Sequence, residues 1–185
     1  MNEIQRKLLE KKRIDLVGKV NEEMLNYLRE ALQILLVSDS PPITISLTST
    51  GGNAFFGLDM YDLLKFYPNK KIGIVHGMAY SAALFPLQAC DWRTITKNGR
   101  VLLHHVTCSD IPFMTLRDPV KLQAFLKNRQ LFFDCYELYS KITGKTVEEV
   151  VAHCDKDQTI ASAEALEWKL VDQIIETEAD VKPTW

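Results

Sequence analysis

Residues 43–89 read ITISLTSTGGNAFFGLDMYDLLKFYPNKKIGIVHGMAYSAALFPLQA, and one short plan occurs in them twice. The β-branched, alternating run 43–48 (ITISLT) predicts a strand. It enters the turn Thr50-Gly51-Gly52-Asn53. A helical pattern then covers 54–67, with Leu58, Tyr61 and Leu64 on one side, until Pro68-Asn69-Lys70 stops it. The second unit begins with the strand 71–76 (KIGIVH), closed by Gly77. A small-residue helix follows over 81–89 (SAALFPLQA), with Pro86 inside it as a source of a kink. Strands that alternate with helices in this way predict an α/β fold with a mainly parallel sheet.

The pattern continues outward on both sides. Residues 13–17 (RIDLV) predict a strand, and Asn21 can cap a helix that carries Met24, Leu25, Leu28, Leu32, Leu35 and Leu36 on one face. Short strands are expected at 93–96 and 100–103, and a long helix at 119–142 that ends at Thr143-Gly144. Thr146 and Glu149 form a capping box for another helix; a last helix is expected over 162–170, and the tail 176–185 reads as loose. No internal repeat or second domain is evident, so residues 1–185 read as a single domain. The long helix is apolar on two sides. Leu122, Phe125, Leu126, Phe132, Phe133, Tyr136 and Tyr139 make a broad face; Val120, Ala124, Leu131, Leu138 and Ile142 make a narrower stripe opposite. A helix with two apolar sides must bury both, either inside its own chain or against another copy.

The composition narrows the functional classes. Apolar residues make up 46% of the 185 and charged residues 25%, which is globular rather than disordered. A net charge of −2 offers no electrostatic attraction toward nucleic acid or a membrane surface. The polar segment 1–13 lacks the apolar stretch of a leader, and no run of about 18 apolar residues could span a bilayer. Cys90, Cys108, Cys135 and Cys154 are far apart with no CxxC pair, so free thiols in the cytoplasm are expected and a zinc site is not.

Chemistry is expected at the two turns. In open α/β sheets ligands sit at the carboxyl ends of strands, where helix N-termini offer unpaired N–H groups. Ser81 lies there among Gly77, Ala79, Ala82 and Ala83, residues small enough to let a carbonyl approach. Serine is a weak nucleophile and needs both a base and an anion site. Alone, Ser81 reads more readily as an ordinary N-cap, since serine is a preferred cap residue. His104 and His105 end a strand, so their side chains face opposite ways and only one can serve a given site. His76 and His153 carry no supporting pattern, and Asp155 and Asp157 each read alone as a solvated loop charge.

Taken together, these segments resemble the proteolytic subunit family of the Clp proteases. GMAYSAA (77–83) is similar to its Gly-x-Ala-x-Ser-x-Gly nucleophile turn. NGRVLLHH (98–105) resembles the segment that carries the catalytic histidine, which selects His104 over His105. DKDQTIASAEALEWKLVD (155–172) resembles the acidic segment and aligns the catalytic aspartate with Asp157. STGGN (49–53) resembles the Ser-Pro-Gly-Gly turn, and LLEKKRIDLVGKV (8–20) the first strand. The matches keep the family's order over 8–172. The chain departs from the pattern at Thr50, Ala83 and Lys169, and has no glycine over 106–119.

The resemblance implies a crotonase-like fold, a twisted αββ superhelix with a protruding handle helix. It implies a serine endopeptidase with Ser81 as nucleophile, His104 as base and Asp157 orienting the histidine. The backbone N–H groups of Gly52 and Ala82 would receive the oxyanion, with no metal or cofactor. Peptides or unfolded proteins would be the substrates, inside a homo-oligomer of stacked heptameric rings. An AAA+ unfoldase is the partner the family implies, against which stands the short segment ahead of the first strand. The alternatives are an altered or inactive ring subunit with a structural or regulatory role and, on the same scaffold, an acyl-thioester binder.

Overall fold

Gly77 bends a strand instead of ending it. In the computed structural model, which describes residues 1–106 and 118–184 without the side chains of 124–129, 131 and 132, the strand begun at Lys71 runs on to Tyr80. Gly77 adopts φ +78°, a conformation open to glycine at little cost, and the chain keeps its pairing beyond it. The strands are β1 (Arg13–Val20), β2 (Ile43–Gly52), β3 (Lys71–Tyr80), β4 (Trp92–Thr96), β5 (Arg100–Leu102), β6 (Thr159–Ala161) and β7 (Gln173–Ile175). They form one sheet in the order β1-β2-β3-β4-β7, every neighbour on that path parallel. The sheet forks at β3. Its first half pairs with β4 from Ile72 to Val75, and its last residues, Met78 to Tyr80, pair with β5. β6 joins β5 as an antiparallel pair. The expected α/β class with a mainly parallel sheet is what the chain adopts.

Residues 1–103 with 158–185 make one compact unit, and residues 104–157 make a second. The first unit contains the sheet and the helices α1 (Glu3–Glu10), α2 (Glu22–Leu36), α3 (Ala54–Phe66), α4 (Leu84–Gln88) and α7 (Ser162–Glu167). Its core includes Ile14 and Leu16 of β1, Ile45 and Leu47 of β2, Val75 of β3 and Ile95 of β4, together with Leu25, Leu28, Leu32 and Leu35 of α2, the helix that packs on β1. Asn21 caps α2 through Met24 N–H at 2.9 Å, as the sequence predicts, although Leu36 at the helix end lies outside the buried face. α3 is rotated from its expected face: Gly57, Met60 and Leu64 are the buried positions. A methyl on Gly57 would come within 2.7 Å of the Ala82 carbonyl oxygen, so the missing side chain is what lets α3 approach the turn after β3.

Three elements were not read from the sequence. α1 precedes the first strand, closed by a reciprocal Asn2–Gln5 capping box, and β6 and β7 are each only three residues long. The tail is tied down rather than loose: Glu178 pairs with Arg13, and Gln173 donates to the Asp180 carbonyl at 2.6 Å.

The second unit holds α5 (Pro119–Thr143) and α6 (Val147–Cys154). Asp118 caps α5 with Pro119 in its first turn, and Gly144 at φ +72° ends it, one residue past the expected end. Thr146 and Glu149 form the expected box on α6. Cys135 and Tyr139 of α5 are buried, whereas Phe133 is 58% and Val120 75% exposed. Ala124, Phe125, Leu126, Leu131 and Phe132, part of the two-sided pattern, have side chains outside the described residues. Among the described residues, no helix is long and apolar enough to cross a membrane.

Candidate active site

Ser81 is presented by the end of β3 and opens a turn of 3-10 helix, Ser81–Ala83, that runs into α4. The single helix expected over 81–89 is therefore split, and Pro86 falls in the first turn of α4, where its missing N–H is tolerated. Ser81 has φ +55°, a left-handed conformation that costs an L-residue about 1–2 kcal/mol. The N-cap reading fails here. A capping serine is extended and bonds a following N–H, but neither the 3-10 turn nor α4 has a side-chain cap. Ser81 thus sits left-handed and uncapped on a sharp strand-to-helix turn.

The end of β2 is packed against it: the turn expected at 50–53 is strand as far as Gly52, because Gly51 and Gly52 pair with Lys19 and Val20 of β1. Ser49 pairs with Ala79 across the irregular end of the β2–β3 ladder. Gly51, at φ +82°, sits so close that an added methyl would lie 2.4 Å from the Tyr80 carbonyl oxygen, 2.8 Å from Ser81 Cβ and 3.2 Å from Ala82 N. The next residue, Gly52, is exposed, and Ala82 N–H lies in the first turn of the 3-10 helix. The two expected oxyanion donors thus lie on the last residue of β2, next to Gly51, and in the 3-10 turn that Gly51 touches. Ala83 is fully buried, so its methyl lies in the core. Behind the turn, Gln88 of α4 donates to the Leu170 carbonyl at 3.0 Å. Arg93 grips the Asp172 carboxylate through three bonds, 2.8 Å from its backbone N–H, 2.9 Å from Nε and 2.6 Å from Nη2, and also donates to Gln88.

Two histidine–aspartate pairs occur in the second unit. His104 Nδ1 lies 3.7 Å from Asp157 Oδ1, an ion-pair separation rather than a hydrogen bond. Asp157 is held in the left-handed region at φ +46° after α6, its N–H bonded to the Cys154 carbonyl. With Nδ1 turned to the carboxylate, Nε2 is the nitrogen left to act as a base. His105 is engaged at both nitrogens: Nδ1 lies 2.7 Å from the Tyr136 hydroxyl and Nε2 2.8 Å from Asp155. Sequence reasoning set His105 and Asp155 aside and placed Tyr136 only on the broad apolar face of the long helix. The usable signal was the doublet itself: two adjacent histidines matched by two aspartates two residues apart.

The described cysteines are poor rivals to Ser81 as nucleophile. Burial, above all, pushes the Cys90 and Cys154 thiols up to about 12 and that of Cys135 to about 11. Cys108 lies outside the described residues.

A family model described as Clp protease matches residues 1–178. The chain belongs to the Clp protease family. It is 34% identical over 180 residues to the ATP-dependent Clp protease proteolytic subunit 1 of Leifsonia xyli subsp. xyli, a match covering 92% of this chain and 86% of that protein. The solved structure of a ClpP1 variant from Listeria monocytogenes superposes with a TM-score of 0.78 at 22% identity, over 95% of this chain and 98% of that one, and shows the shared fold. The crotonase-like, Clp-protease architecture expected from the motifs is the one observed. One departure from the family pattern now has a geometric meaning: Lys169, where the pattern has glycine, adopts φ +55°.

Proposed function

We propose that this chain is a serine-type endopeptidase that hydrolyses peptide bonds by a Ser81–His104–Asp157 triad. The observation that carries the reading is the strained Ser81 turn, uncapped and seated against Gly51, in a member of the Clp protease family. In the proposed reaction Ser81 Oγ attacks the peptide carbonyl carbon as His104 Nε2 takes the hydroxyl proton. The oxyanion is received by the backbone N–H groups of Gly52 and Ala82. The tetrahedral adduct collapses, the C–N bond breaks, and His104 returns the proton to the leaving amine. Water, activated by the same imidazole, then releases the acyl group from Ser81. Asp157 holds the tautomer in which Nε2 is basic. Its 3.7 Å separation from His104 would have to shorten with substrate present, as catalytic hydrogen bonds in unliganded sites often do.

The proposal extends to assembly. Phe133 and Val120 leave α5 with exposed apolar side chains, which a second copy would cover. This supports a homo-oligomer, with stacked heptameric rings as the family-based form and peptides or unfolded proteins as substrates. An AAA+ unfoldase is the partner to test in a pull-down with ATP. An inactive ring subunit is the second reading; a left-handed, uncapped Ser81 in contact with Gly51 favours the active one.

The deciding experiment is fluorophosphonate labelling with peptide mapping, beside hydrolysis of a short fluorogenic peptide. Label on Ser81, with hydrolysis lost by about 10⁶-fold in Ser81→Ala, is the expected result. An alanine variant that cleaves like the wild type sinks the assignment.

A further inference from the structure

His105 ties together three parts of the second unit. It follows His104 directly, its Nδ1 meets the Tyr136 hydroxyl of α5 at 2.7 Å, and its Nε2 meets Asp155, the residue that closes α6, at 2.8 Å. Its ring stands edge-on to the Tyr136 ring, centroids 5.9 Å apart at 84°. A neutral imidazole meets both polar contacts by donating Nε2–H to the carboxylate and accepting the phenol at Nδ1. Burial, then Cys154, Cys135 and Asp155, raise the Tyr136 phenol above its ordinary value, so it stays a proton donor at neutral pH. With both nitrogens taken, His105 has none left to relieve a serine of its proton.

Its contacts fall beside the catalytic pair on both sides. His104 is the preceding residue; Asp157 is two residues past Asp155, in the same tight exit from α6, where Lys156 N–H bonds the His153 carbonyl and Asp157 N–H the Cys154 carbonyl. His104 and Asp157 have only a 3.7 Å ion-pair contact of their own, and the Asp157 side chain is 75% exposed. At 3.7 Å that contact is too long for a hydrogen bond, whereas His105, although its partner Asp155 is itself 69% exposed, makes two contacts at hydrogen-bond distance. We infer that His105 is a positioning residue for the proposed reaction, a clasp from Tyr136 and Asp155 that sets the distance between His104 and Asp157. This rests on the Ser81–His104–Asp157 reading of the preceding section.

The clasp has testable chemistry. Glutamine can donate to a carboxylate and accept from a phenol at once, as the neutral imidazole does, whereas alanine does neither. The test measures kcat and KM on a short peptide, the fluorophosphonate labelling rate at Ser81, and the melting temperature, for the wild type, His105→Ala, His105→Gln, Tyr136→Phe and Asp155→Ala. A misplacement near 1 Å costs up to about 100-fold. His105→Ala is therefore expected to lower kcat and labelling rate together by about 10–100-fold with KM nearly unchanged. His105→Gln should recover most of that loss. Tyr136→Phe and Asp155→Ala should each lose part of it, and Asp155→Ala should add little on top of His105→Ala. Should His105→Ala not fold, the Tyr136→Phe comparison still decides, because it removes a single oxygen. A wild type that labels and cleaves, beside His105→Ala or Tyr136→Phe with wild-type kcat, overturns the clasp alone, as does a lowered melting temperature with unchanged kcat. A loss in KM only, or one that glutamine does not restore, overturns it too. A wild type that neither labels nor cleaves removes the peptidase reading and the clasp with it.

Discussion

At the scale of single residues, the backbone at Ser81 offers a test that contacts alone do not. Alanine at that position deletes the hydroxyl but keeps the left-handed φ of +55°, while glycine also removes the strain. Both variants are expected to be inactive, and Ser81→Gly to be the more stable by about 1 kcal/mol in urea unfolding. The reverse order would mean that the turn is not strained in solution. Gly51 is the opposite case. Gly51→Ala would press a methyl to within 2.4 Å of a backbone oxygen and 2.8 Å of Ser81 Cβ, at a φ of +82°. A loss of about 2–4 kcal/mol is expected, with activity falling further than stability, because the nucleophile turn must move. The histidine doublet orders its variants by chemistry: His104→Ala, which removes the proposed base, should cost far more than His105→Ala. Asp157→Asn should cost about 10⁴-fold by the tautomer argument, and asparagine tolerates the φ of +46° there. Asp155→Asn keeps an acceptor for His105 Nε2–H and should be mild; an Asp155 variant more damaging than the Asp157 one would exchange the two roles.

At the scale of elements, the end of α7 carries a side chain where the geometry suits none. Lys169 N–H bonds the Leu166 carbonyl at 3.0 Å and Leu170 N–H the Ala165 carbonyl at 2.9 Å, the paired bonds of a Schellman stop. The residue between them is left-handed, and here it is lysine at φ +55°. Lys169→Gly is expected to raise stability by about 1 kcal/mol, read as a higher midpoint in thermal or urea unfolding. At the start of β3 the balance is electrostatic. Lys71 is buried and pairs with Asp91 at 2.9 Å, its other partners being the Tyr67 and Asn69 carbonyls. Burial alone would raise the Asp91 carboxyl, but the Lys71 side-chain and backbone hydrogen bonds outweigh it and hold it below its ordinary value. A lowered carboxylate contributes stability that is complete above the ordinary range, about 4, and is lost as the pH falls through the lower folded value. Asp91→Asn should thus destabilise by about 2–3 kcal/mol at neutral pH, with the gap to the wild type closing in acid. A gap that persists at low pH would assign the effect to packing.

For the whole molecule, the question is what covers α5. Phe133 is 58% exposed although Tyr139, on the same predicted apolar face, is buried. Phe133→Asp is expected to leave the fold intact, since the residue is outside the core, and to lower the sedimentation coefficient from that of an assembly toward that of the single chain, with activity falling in step. An active wild type that sediments at the mass of one 21.2 kDa chain would defeat the oligomer proposal.

The sequence by itself determined the fold class, the family and most element ends. These rest on local chemistry that the chain carries wherever it goes: alternation in 43–48 and 71–76, an Asn21 cap, a Thr146–Glu149 box, Gly144 after the long helix. It also named Ser81, His104 and Asp157 as candidates through motif order. What it could not determine depends on which distant groups meet. Gly77 reads locally as a stop, and only pairing with β5, more than twenty residues on, turns it into a bend within β3. Three residues at 159–161 are too few for a periodic signal and become a strand through the same β5. The buried side of α3 was set by Gly57 against Ala82, and Asp172, the last residue of the matched segment 155–172, proved to be the partner of Arg93. The His105 contacts span 31 and 50 residues of chain. No spacing rule reaches so far, because a hydrogen bond depends on distance in space, and that distance is set only when the helices have packed.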